Sequence, residues 1–256
     1  MQDTAASSVD SGLLVGADVY KRFGALTVLD GVNFTLGANE AVGIVGPNGA
    51  GKTTLLNVLA GAYPPNAGTV RFKGADVTAS DAAQRCRLGI ARSHQIPRPF
   101  GGMTVFENCF VAATTGGKLS GQRAYRCCVE ALELCQMLHL ANRRAETLGL
   151  LDRKRLELAR ALATEPQVLL LDEIGGGLTD EEANSLVETI QELRRRGLAI
   201  VWIEHIVHVL LRVVERLVCM DAGRIIADGK PEAVIADAAV VDAYVGGKNI
   251  GGGHGS

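Results

Sequence analysis

The run Gly46-Pro47-Asn48-Gly49-Ala50-Gly51-Lys52-Thr53-Thr54 constrains this chain more than any other stretch. It follows the apolar pentapeptide AVGIV and leads into the apolar segment LLNVLAG. It therefore fits G-x-x-x-x-G-K-[ST] in the strand–loop–helix setting that the pattern requires. Glycines let the backbone turn tightly and aim successive N–H groups at phosphate oxygens. The start of the following helix adds partial positive charge. Lys52 then neutralises the β- and γ-phosphates, and the Thr53 hydroxyl ligates Mg²⁺. These residue types in this order predict a nucleoside triphosphate site with magnesium.

Residues 168–171, VLLL, form a second short apolar run and end on Asp172-Glu173. In open parallel sheets ligands gather at the carboxyl ends of the strands, so such a run delivers its carboxylate beside the phosphates. Asp172 is placed to hold the magnesium through water, and Glu173 to orient or deprotonate an attacking water. A third run, residues 198–203, ends on Glu204-His205. All three runs have strand length and turn or polar residues at their ends, as buried parallel strands do.

Helical periodicity covers residues 52–60, 153–163, 180–196 and 206–215, and the alternation predicts an α/β core with a parallel sheet. Residues 13–20, 31–36 and 69–73 alternate imperfectly, as half-exposed antiparallel strands do. Between 105 and 148 the texture changes to helices, at 105–112 and 122–140, with no buried strand. The expected organisation is a tail over 1–11, a core over 12–94 and 158–246, a helical subdomain over 95–157, and a glycine-rich tail over 247–256. Both tails are expected to be disordered.

GPNGAGKTT, VLLLDE and VWIEH resemble the Walker A, Walker B and switch-histidine motifs of ABC-type ATPases. The resemblance extends from about Leu13 to Gly247 and is closest to the ATPases of the branched-chain amino-acid uptake group. It is carried also by KRFGALTVLDGVNFTL, ARSHQIPRPFGGMTVFENCFVA, KRLELARALATEP and GRIIADGKPEAVIADAAVVDAYVGG. It implies a P-loop NTPase core with an N-terminal antiparallel β subdomain and an inserted helical subdomain. It implies Gln95 as the glutamine that opens the Q-loop and touches Mg²⁺, His205 as the sensor of the γ-phosphate, and Phe23 as the aromatic that stacks on adenine. It further implies ATP hydrolysis in a head-to-tail dimer that drives membrane-spanning permease subunits from the cytoplasmic face. An extracytoplasmic solute-binding protein would serve the same system. Phe100, Met103, Val105 and Phe106, apolar residues of a loop-like stretch after Gln95, are the expected docking face.

The chain departs from that pattern in one place that bears on mechanism. Where the family reads LSGGQ, this sequence reads Leu148-Gly149-Leu150-Leu151-Asp152. In the family this loop caps a helix and reaches the γ-phosphate bound by the other subunit. Leucines resist the close backbone approach that glycine allows, and Asp152 adds negative charge near phosphate. An altered signature with a different working geometry is an equally open reading. The asymmetry favours a heterodimer with a second ATPase subunit, in which this chain's nucleotide meets the partner's signature. Ile174 also replaces the usual proline after Glu173, Gly175-Gly176-Gly177 follows it, and the D-loop reads Gly177-Leu178-Thr179-Asp180.

Composition narrows the remaining alternatives. A formal net charge of -2 argues against a strongly basic nucleic-acid binder, and 47% hydrophobic residues argue against intrinsic disorder. No apolar run approaches the roughly 18–20 residues of a membrane span, and the N-terminus has neither the basic nor the apolar region of a secretory signal. The six cysteines show no C-x-x-C pair and are expected as free thiols in the core, with Cys128 and Cys135 on one helix face. Two rivals remain open: a soluble ABC-type machine for assembly or nucleic acid, and a regulatory ATP-binding subunit with weak hydrolysis. The first would need a tandem ATPase domain, a coiled-coil insertion or a basic groove. Branched-chain amino acids are the default solute, with related amides, urea or small organic acids as alternatives.

Overall fold

The computed structural model describes residues 12–93 and 95–246, so both expected tails lie outside the described residues. The chain opens with a long hairpin, β1 (Leu14–Phe23) and β2 (Leu26–Leu36), and enters the core through β3 (Ala41–Val45). The phosphate loop leads into α1 (Lys52–Leu59). The chain then returns to the periphery in β4 (Ala67–Phe72) and β5 (Ala75–Asp76) before α2 (Ala82–Leu88) and β6 (Ile90–Arg92). The helical insert holds α3 (Val105–Val111), α4 (Gly121–Leu134) and the start of α5 (Leu150–Leu162). The core resumes with β7 (Val168–Asp172), α6 (Asp180–Arg195), β8 (Ala199–Ile203) and the single turn α7 (Val207–Leu210). It closes with β9 (Arg216–Asp221), β10 (Arg224–Gly229), α8 (Pro231–Ile235) and α9 (Ala238–Gly246).

Two sheets organise these elements. Four antiparallel strands run in the order β2-β1-β4-β5, and six strands run β10-β9-β3-β8-β7-β6. Five neighbouring strands of the larger sheet, β9-β3-β8-β7-β6, are parallel and only the β9–β10 pair is antiparallel. Every residue of β3, β7 and β8 is buried, as a sheet covered on both faces requires. Alternate residues serve opposite faces. Leu169, Leu171, Ile200 and Trp202 join a core shared with the helical insert and α6. Val168, Leu170, Val201, Ile203 and Ile44 join a core shared with α1 and the antiparallel sheet. A two-residue period in three short runs thus supports a three-layer arrangement.

Local chemistry sets the helix starts. Asp81 with Gln84, Thr104 with Glu107 and Thr179 with Glu182 form reciprocal capping boxes at α2, α3 and α6. Several sequence expectations are corrected. The helix expected over 206–215 is one turn, because the chain leaves it to bond Glu215 N–H to the Ala41 carbonyl at the entry to β9. The helix expected over 122–140 stops at Leu134, where Gln136 adopts a left-handed conformation (φ 57). Helix α5 begins at Leu150 rather than Arg153, so it takes Leu150, Leu151 and Asp152 into its first turn. Val105 is fully buried under the insert and cannot belong to a docking face. The other helical and strand segments fall within a few residues of expectation, and Cys128 and Cys135 are both fully buried.

Candidate functional site

Because β3, β6, β7 and β8 are parallel, their carboxyl ends share one edge. The register fixes this edge: Ile44 pairs with Ile203, Asp172 with Ile203, and Arg92 with Leu170. The phosphate loop, the Gln95 loop, Asp172-Glu173 and Glu204-His205 therefore emerge side by side. Asn48, Gly49, Ala50, Gly51, Lys52, Thr53, Thr54, Gln95, Glu173 and His205 line a single cleft of about 470 Å³, with Val28 at its rim. Residues as far apart as 48 and 205 in sequence are neighbours there.

Each part of the phosphate loop has a local reason for its shape. Gly46 has φ 144, and a Cβ there would lie 2.0 Å from the Met220 carbonyl oxygen, so only glycine fits. Lys52 is 5% exposed, and its Nζ donates to the carbonyls of Gly46 (2.8 Å) and Pro47 (2.9 Å). Burial lowers its pKa, against the nearby charge of Glu173, Cys219 and Asp172, which raises it. The ammonium therefore sits inside the cleft wall and not in bulk water.

The carboxylates lie beside the loop. The Thr53 hydroxyl is 3.3 Å from Oδ1 of Asp172, a residue only 1% exposed. Arg92, at the end of β6, pairs with the other oxygen, its Nη2 lying 2.8 Å from Oδ2. Glu173 has a left-handed backbone (φ 47), a strained conformation for a side-chain-bearing residue. Its carboxylate is bracketed: His205 Nε2 lies 2.6 Å from Oε1, and Gln95 Nε2 donates to Oε2 at 2.5 Å. The Thr53 hydroxyl, the Asp172 carboxylate and the Gln95 amide oxygen are hard donors of the kind Mg²⁺ selects, and Thr53 and Asp172 already meet at one point. That donor set fits magnesium.

Other sequence-derived candidates lie outside this cleft. Phe23 ends β1, where its ring meets Tyr63 edge-on with centroids 5.4 Å apart. Lys21 Nζ lies 5.1 Å from the Phe23 centroid and 5.7 Å from that of Tyr63. Of the altered signature, Leu148 is buried, Gly149 caps α5, and Leu150 projects with 46% exposure. Phe100 and Met103 are exposed on the insert, whereas Phe106 is half-buried and packs on Phe110 and Tyr125.

Two contacts escaped the sequence reading. Arg92 lies three residues before Gln95 at a strand end, and a cation there is a signal that could have been used. Tyr244 of α9 accepts a hydrogen bond from Gly46 N–H at 2.8 Å. The two residues stand 198 positions apart, and so distant a contact left no local trace.

Comparison with known proteins places this geometry in context. A family model described as ABC transporter matches residues 29–175. The high-affinity branched-chain amino acid transport ATP-binding protein LivG of Escherichia coli strain K12 is 37% identical over 240 residues, covering 88% of this chain and 94% of LivG. The corresponding protein BraF of Pseudomonas aeruginosa is 33% identical over 240 residues, covering 88% of this chain and 94% of BraF. A crystal structure of a nucleotide-free ATP-binding cassette from an ABC transporter superposes with a TM-score of 0.84 at 30% identity, covering 91% of this chain and 98% of that one.

Proposed function

This chain belongs to the ABC transporter family as an ATP-binding subunit, and from that premise we propose that it powers uptake of branched-chain amino acids or closely related small solutes. The names of LivG and BraF support the solute class. The observation that carries the catalytic reading is the convergence on Glu173: His205 and Gln95 hold its two oxygens, and the phosphate loop lines the same cleft.

In this reading the loop from Gly46 to Thr54 wraps the phosphates, and Lys52 neutralises the β- and γ-phosphates. Phe23 stacks on the adenine. Glu173 takes a proton from water as the water oxygen bonds to the γ-phosphorus and the β–γ bridging bond breaks. His205 senses the γ-phosphate and keeps the Glu173 carboxylate in place. Thr53, Asp172 and Gln95 would hold Mg²⁺, which when bound offsets the charge that develops on the transferring phosphoryl group.

The cassette works as a dimer with a second ATPase subunit, and Gly149, Leu150, Leu151 and Asp152 face the partner's nucleotide, with Leu148 buried behind them. No helix among the described residues is long and apolar enough to cross a membrane. In this reading coupling runs through separate permease subunits at the cytoplasmic face, with Phe100 and Met103 on the docking side and a solute-binding protein delivering cargo. Co-purification with permease subunits, followed by ATPase assay with and without leucine-loaded binding protein, tests this. Stimulation by branched-chain amino acids supports the assignment. Stimulation only by an amide or an aromatic acid would reassign the solute.

A further inference from the structure

The segment after Glu173 has little restraint of its own: Ile174 is followed by three glycines. Yet the peptide unit joining Ile174 to Gly175 is gripped at both of its polar atoms. Lys154 Nζ, from α5, donates to the Ile174 carbonyl at 2.7 Å. Glu204 Oε1, from the end of β8, accepts the Gly175 N–H at 2.6 Å. Both charged side chains are buried, Lys154 at 6% and Glu204 at 2% exposure. Burying two charges is costly unless each is well used. Here both charges converge on the same peptide bond, and Glu204 also meets the His205 backbone N–H. Gly175 permits the approach, since a Cβ there would lie 2.8 Å from Glu204 Oε1.

The position of this peptide gives the arrangement meaning. It lies one residue beyond the strained φ of Glu173, so holding it opposes relaxation of that backbone. The two grips come from different functional elements. Lys154 sits one turn into the helix that starts at the altered signature, and Glu204 directly precedes His205. A shift of α5 or of the strand end carrying His205 therefore moves the peptide that fixes Glu173. Burial lowers the Lys154 pKa and raises that of Glu204, as expected of charges held away from water.

We infer that Lys154 and Glu204 are positioning residues that clamp the Ile174–Gly175 peptide and thereby aim the Glu173 carboxylate. This rests on reading Glu173 as the group that activates water. The test uses the purified transporter with Lys154→Met, Glu204→Leu, Glu204→Gln and Glu173→Gln, measuring kcat and KM for ATP together with Tm. Lys154→Met and Glu204→Leu are expected to lower kcat about 10²-fold, the scale of a misplaced reacting group, with KM unchanged. Glu204→Gln retains an acceptor for Gly175 N–H and should turn over close to the parent. The double variant Lys154→Met/Glu204→Leu leaves no unpaired buried charge, and it decides the matter if a single variant fails to fold. In glycine-labelled protein the Gly175 amide proton should resonate downfield in the parent and move upfield in Glu204→Leu. Normal kcat in the clamp variants beside a Glu173→Gln loss would overturn the clamp alone. Normal kcat in Glu173→Gln would overturn the reading beneath it.

Discussion

His205 Nε2 lies 2.6 Å from Glu173 Oε1, joining the end of β8 to the end of β7 across the phosphate cleft. In the proposed reading the contact links the sensor of the γ-phosphate with the group that activates water, so a nucleotide that engages His205 also resets Glu173. Gln95 holds the second oxygen from the loop that leads into the helical insert, so the same carboxylate is tied to the expected docking side.

Replacing His205 by alanine should lower kcat by about 10²–10³-fold, the usual cost of one preorganised donor, while nucleotide affinity changes little. Steady-state hydrolysis beside equilibrium binding of a fluorescent ATP analogue separates the two effects. A loss of affinity with normal turnover per bound nucleotide would make His205 a binding group only.

Lys52→Ala should abolish nucleotide-dependent activity. Its Nζ is buried in the loop wall, and no other lysine or arginine lines that cleft among the described residues. The check is ATP binding and turnover in the purified transporter. Near-normal turnover would sink the assignment of this loop.

Arg92 is 14% exposed at its side chain and pairs with the almost fully buried Asp172. Arg92→Leu leaves that carboxylate without its cation, and removing one member of a buried pair costs about 3–5 kcal/mol. Denaturant unfolding without nucleotide should show a lower midpoint. An unchanged midpoint would mean that solvent or another group already satisfies Asp172.

Much of this architecture was legible in the sequence because its signals are local. The apolar runs ending at Val45, Asp172 and Ile203 have strand length, and the phosphate loop binds its ligand with its own backbone. Where the sequence reading failed, the deciding partner was distant. The turn after Leu210 is set by the bond between Glu215 and Ala41, and Val105 is buried by the insert's own packing, though its neighbours Phe100 and Met103 are exposed. The contacts of Arg92, Tyr244, Lys154 and Glu204 depend on strand register and helix docking, which periodicity does not report. Helix α5 begins early without a side-chain cap, since Gly149 at its N-cap position has no side chain to signal a helix start.

The exposed Leu150 at the head of α5 motivates a prediction of asymmetry. In a transporter with two different ATPase subunits, this chain's nucleotide meets the partner's signature and the partner's nucleotide meets the altered one. Disabling Glu173 should therefore cost more transport than disabling the partner's equivalent glutamate. Leu150→Gly with Leu151→Gly should narrow the gap. Equal losses from the two glutamate variants in reconstituted vesicles would reject the asymmetry.

If Glu173 activates the attacking water, Glu173→Gln will separate binding of ATP from its hydrolysis. The substitution keeps the size and shape of the side chain while removing the base. ATP affinity should stay at the parent's value, and single-turnover hydrolysis should fall by about 10²–10⁴-fold. Weakened ATP binding with unchanged hydrolysis per bound ATP would contradict the account and make Glu173 a structural residue.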